Sequence, residues 1–159
     1  MVQMFVNRVG LDLEKRAFVV LADAEQQRFL PILIGPFEAR AIAMATQAPG
    51  ERPMTHELLG SVIRTTGCTL TRIEIIDLKD QVFYALLRLQ ASDGSYEVDA
   101  RPSDAIALAL YADAPIFVAE EVLDGAVVLS AEAEEEEKDQ FRDLLSGLFS
   151  DDDAPDETS

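Results

Sequence analysis

The run Ala105–Tyr111, set behind Pro102, limits most what this chain can fold into. Proline suits the first position of a helix, because its φ is already helical and its missing N–H would be unpaired there anyway. The residues that follow, Ala-Ile-Ala-Leu-Ala-Leu-Tyr, are apolar on every side of a helix. Such a helix leaves no face for water, so it must lie in a core or against a partner subunit. Whatever else the chain builds has to wrap it.

The wrapping material reads as two antiparallel meanders. Gln3–Asp12, Ala17–Leu21 and Phe29–Ile34 are strand-like runs, with Ala24-Glu25-Gln26-Gln27 as a short hairpin connection. Gly35-Pro36 stops the third run, and Phe37, Ala41, Met44 and Ala45 then recur at helical spacing over Phe37–Gln47. Pro49–Pro53 is a loop. Thr55 has the chemistry of an N-cap, with Leu58, Leu59, Val62 and Ile63 as an apolar face behind it and Gly67 as the stop. A second meander follows: Thr69–Leu78, Val82–Gln90 and Tyr96–Ala100, turned through Lys79-Asp80-Gln81 and Ser92–Ser95. Alternation in Arg72-Ile73-Glu74-Ile75 predicts a solvated face there. After the apolar helix, Ala114-Pro115 leads into a short strand, Ile116–Ala119. The expected fold class is α+β, a mixed but mostly antiparallel sheet with helices packed on it. The expected organisation is one domain over residues 1–130, a charged helix over 131–150 and a disordered tail over 151–159. Phe141, Leu144, Leu145 and Leu148 give that charged helix its apolar stripe.

Charge narrows the function. The chain carries 30 acids and 13 bases, a formal net charge of −17. From Glu132 to Ser159 there are 12 acids and 2 bases, so the tail is the more acidic part. Neither part offers the basic surface that drives nonspecific nucleic-acid binding by counterion release. A metal ion or a local arginine cluster can still hold phosphate on an acidic protein. The single cysteine, Cys68, has no partner for an internal disulfide and fits a reducing compartment. No apolar run reaches the roughly 18 residues of a membrane span, so the expectation is a soluble cytoplasmic protein.

Three segments carry a resemblance. They are Leu30-Pro31-Ile32-Leu33-Ile34-Gly35 with Glu38-Ala39, Arg52-Pro53-Met54-Thr55-His56-Glu57-Leu58-Leu59, and Asp99-Ala100-Arg101-Pro102-Ser103-Asp104-Ala105-Ile106 continuing to Ala114-Pro115-Ile116-Phe117-Val118. In this order and spacing, over roughly residues 2–123, they resemble the bifunctional nuclease (BFN) domain family. The resemblance implies an α+β domain that forms homodimers and a hydrolase acting on both DNA and RNA. The family's usual acid after the histidine is Asp, whereas this chain has Glu57.

Within these segments His56 is the only histidine of the chain. A first-turn position favours the neutral imidazole, which suits a base or a metal ligand near phosphate, or simply a helix cap. Asp104 sits in the first turn behind Pro102, where a carboxylate is stabilised locally. Asp99, Asp104 and Glu57 are candidate ligands for Mg²⁺ or Mn²⁺, with His56 as base and Arg52 and Arg101 clamping phosphate. The local alternative pairs Arg101 with Asp99 and leaves Asp104 to its own helix start. Glu38 reads as a helix-start acid or a third carboxylate, with the first role favoured. The leading expectation is a metal-dependent nuclease; the other is a non-catalytic homodimeric ligand-binding or regulatory module.

Overall fold

A computed structural model describes residues 1–132 together with 135, 136 and 139. In chain order its elements are β1 (Val2–Leu11), β2 (Ala17–Asp23), β3 (Arg28–Leu33), α1 (Pro36–Ala45), α2 (Thr55–Thr65), β4 (Thr69–Lys79), β5 (Val82–Ala91), β6 (Gly94–Ala100), α3 (Pro102–Ala112), β7 (Ile116–Val118), α4 (Glu120–Gly125) and β8 (Leu129–Ser130). The expected α+β class and both three-strand meanders are present. Most of the predicted charged helix, and the tail Asp151–Ser159, lie outside the described residues.

One sheet unites the meanders, in the order β6-β5-β4-β7-β1-β2-β3-β8. Its weld is β7, three residues long, parallel to β4 and antiparallel to β1. Ile116 stands opposite both Ile73 and Met4, and all three side chains are buried. The short α4 and β8 that follow have too little periodicity to be read from sequence. Among the described residues, no helix is long and apolar enough to cross a membrane.

Helix α3 lies where its composition demands. Ala105, Ile106, Ala107, Leu108 and Ala109 are all buried, because α3 contacts β4 and β5 on one side and α1 and α2 on the other. The core, not a partner subunit, therefore covers it. Val19, Leu21, Leu30, Ile32, Ile73, Ile75 and Leu87 supply the sheet's contribution to the same core. On the opposite face Phe18, Val20, Ala22 and Phe29 form a second cluster with Leu129 and Ala131 against it. Strand β2 is thus buried on both faces, which explains its unbroken apolar run.

Two sequence expectations need correction. Met54, not Thr55, is the N-cap of α2, and no side chain caps the helix. Met54 has extended backbone, with φ of −83° and ψ of 172°, so helical dihedrals begin only at Thr55. Glu74 is not on a solvated face: it is only 2% exposed. Arg72 Nε and Arg88 Nε donate to its two carboxylate oxygens at 2.6 and 2.8 Å, and their side chains cover it. The predicted stop at Gly67 holds, with φ of 84°. The Gly67 and Cys68 N–H groups return to the carbonyls of Arg64 and Ile63, closing α2.

Candidate active site

Three helix starts meet on the helical side of the sheet. Proline opens both α1 and α3, so Glu38 and Asp104 each fall in a first turn, where the helix field favours carboxylates. Helix α2 brings His56 in its own first turn. It can approach α3 closely because Gly60 is the residue that faces Leu108. Glu38 folds back over the preceding Gly35, where an added Cβ would run into its carboxylate.

The side chains form one chain of polar contacts. His56 Nε2 lies 2.8 Å from Asp104 Oδ1. Arg101 Nε donates to Asp104 Oδ2 at 2.8 Å, and Arg101 Nη1 pairs with Glu38 Oε1 at 2.9 Å. Burial by itself raises the Asp104 pKa, but the hydrogen bonds from Arg101 and His56 outweigh it and hold the carboxyl below the usual aspartate range. With Asp104 ionised, the hydrogen-bond network assigns the imidazole proton to Nε2. In the neutral ring Nδ1 then carries the lone pair. The His56 and Asp104 side chains keep 17% and 30% of their exposure, so solvent and ligand can reach them.

These groups border a cavity of about 260 Å³. Glu38, Arg40, His56, Arg101 and Asp104 form its polar side, and Phe37, Ala41, Met44, Met54 and Tyr111 its apolar side. The apolar side had no signal in the motifs, although Phe37, Ala41 and Met44 were legible as one helix face.

The sequence-derived set is only partly assembled. His56, Arg101 and Asp104 converge, and Glu38 joins them across α1, a role beyond that of a helix-start acid. Asp99 stands opposite Leu86, which stands opposite Glu74. Cross-strand partners share a face, so Asp99 projects on the side of the sheet away from the helices. Arg101 pairs with Glu38 and Asp104 instead of Asp99. Arg52 is exposed in the loop ahead of α2, outside the cavity lining. Glu57 is half-buried on α2 outside that lining; after burial, its charge is the second cause that raises the Tyr111 pKa. Among the described residues, no group of three or more His, Cys, Asp or Glu is gathered to hold a metal ion. The Arg101 guanidinium already lies against both Glu38 and Asp104, so the side chains as arranged do not make a Mg²⁺ or Mn²⁺ site.

Comparison with known proteins bears on this geometry. The bifunctional nuclease domain matches residues 19–131, a stretch that contains Glu38, His56, Arg101 and Asp104. Two proteins of Mycobacterium tuberculosis, uncharacterized protein Rv1829 (strain ATCC 25618 / H37Rv) and uncharacterized protein MT1877 (strain CDC 1551 / Oshkosh), are similar over nearly their whole length. Each is 36% identical to this chain over 160 residues, covering 92% of this chain and 96% of its own. The match begins within β2 and takes in all three helix starts that build the cavity and the whole second meander, and on that ground the chain belongs to the bifunctional nuclease domain family.

Proposed function

We propose that the cavity hydrolyses phosphodiester bonds of RNA and DNA, with His56 as the general base. The observation that carries this reading is the Asp104–His56 hydrogen bond at 2.8 Å on the wall of an open cavity. Asp104 fixes the ring with its proton on Nε2, so Nδ1 can take a proton from water or from an RNA 2′-hydroxyl. The new oxygen–phosphorus bond forms as the bond to the leaving oxygen breaks, and the imidazolium returns the proton to that oxygen. Asp104 stabilises the imidazolium in between, while Arg101 offsets charge on the phosphoryl oxygens. No step is assigned to a divalent ion, because Arg101 lies against both carboxylates of the cavity, Glu38 and Asp104.

A second reading has its own support. Arg101, Glu38 and Asp104 satisfy one another, as they would in a purely architectural clasp between α1 and α3, and the chain is strongly acidic. On this reading the protein is a homodimeric ligand-binding or regulatory module in the cytoplasm. The exposed apolar stripe Leu58, Leu59 and Val62 on α2 supports the homodimer under either reading; light scattering measures it.

The deciding experiment digests labelled RNA and DNA with highly purified protein in EDTA, Mg²⁺ and Mn²⁺, beside His56→Ala and Asp104→Asn. Activity that disappears in both variants, while their unfolding curves stay close to wild type, supports hydrolysis. Equal residual activity in all three proteins would mean contamination, and the regulatory reading would stand.

A further inference from the structure

Charge cannot be what holds a nucleic acid in this cavity. The formal charges of its lining balance: two arginines, Arg40 and Arg101, against two acids, Glu38 and Asp104, beside His56. The chain around it carries −17. Counterion release from a few phosphates supplies little affinity under those conditions. Binding must draw on the apolar side, where Phe37 is 83% exposed at the start of α1, beside Met44, Met54 and Tyr111. Phe37 is not a lone exposed side chain: Met54, 46% exposed, lines the same cavity, and apolar surface exposed at a cavity marks a place where a ligand can be met. The volume, about 260 Å³, falls just under the roughly 300–1,000 Å³ of drug-sized sites, room for one planar group and its phosphate.

Resting on the phosphodiesterase reading of the same cavity, we infer that Phe37 is a stacking platform for an unpaired nucleobase and that the substrate is single-stranded. A duplex keeps its base faces stacked inside and offers an aromatic wall only its edges and backbone. A single strand can turn one base onto Phe37 while the adjoining phosphate reaches Arg101 and the His56–Asp104 pair. Selectivity for single strands then comes from stacking, and sequence preference is weak, because every base has a π-face.

The test is fluorescence anisotropy with a labelled DNA 12-mer, alone and annealed to its complement, across a salt series. Gel analysis of the DNA after each titration ensures that binding is read on uncleaved strands. Wild type is expected to bind the single strand at least tenfold more tightly than the duplex. Its log–log salt slope is expected to be no steeper than about −1.4, the value for two phosphate contacts on a single strand. Phe37→Ala is expected to lose about tenfold on the single strand and little on the duplex, and Phe37→Trp to retain affinity. Because Phe37 is so exposed, these variants should unfold like wild type. Equal affinity for both forms, or no effect of Phe37→Ala, overturns the stacking role and leaves hydrolysis by His56 standing. Binding to neither form overturns both.

Discussion

Helix α2 reaches α3 through Gly60, and the position can be tested in both directions. A Cβ built there meets Leu108 Cδ1 at 3.6 Å, an ordinary van der Waals separation. Gly60→Ala therefore adds a methyl without a collision and removes a glycine from a helix interior, where glycine costs about 1 kcal/mol relative to alanine. The expected gain is about 1 kcal/mol, a rise in Tm of about 2–4 °C for a chain of this size. Gly60→Leu asks for much more room against the buried Leu108. Overpacking of that kind costs about 1–3 kcal/mol and is relieved by moving α2 away from α3. His56 rides on the first turn of α2, so the same movement lengthens its 2.8 Å contact with Asp104. Urea and thermal unfolding followed by circular dichroism read the stability, and RNA cleavage reads the site. Destabilisation by alanine would refute the packing argument. Unchanged cleavage in a destabilised Gly60→Leu protein would refute the link from that packing to the site.

Other expectations follow from particular residues. Burial raises the Glu74 pKa, but Arg88 and Arg72 hold it below the ordinary 4.5 overall. Its stabilisation is therefore full above the unfolded value and is lost as pH falls through the lower folded one. Glu74→Gln should cost about 1–3 kcal/mol at neutral pH and flatten the loss of stability below about pH 4, measured by urea titration across pH. Asp80 and Gln81 turn the β4–β5 hairpin with φ of 50° and 63°. Gln81→Gly should relieve about 1 kcal/mol of left-handed strain, which calorimetry will read as a higher Tm. His56 is the only imidazole, so its nitrogen NMR spectrum is unambiguous. The Nε2–H tautomer is expected in wild type, and a mixture of tautomers in Asp104→Ala.

Much of this fold was legible because its signals are local. Alternating runs, turn residues and helix-starting prolines mark the meanders and helices, and the apolar sequence of α3 demanded burial. The placement of β7 between β4 and β1 was not legible, since pairing Ile116 with Ile73 and Met4 is a long-range event that leaves no trace in a three-residue strand. Glu74 misled because a buried acid and a solvated one look alike until the arginine from the neighbouring strand is in place. At the site, the helix starts announced His56, Arg101 and Asp104 singly. Their convergence depends on α2 crossing α3 at a glycine, 48 residues of sequence separating His56 from Asp104. Asp99 failed to join them for a simple reason of period: it faces the far side of its strand.

The most direct test of the account is the initial rate of cleavage of a labelled single-stranded RNA by wild type, His56→Ala and Asp104→Asn, purified side by side. A base oriented by a carboxylate is worth about 10²–10⁴ in rate, so both variants should fall by that order while remaining folded. Equal rates for the three proteins, or no cleavage by wild type in EDTA, Mg²⁺ or Mn²⁺, would contradict it.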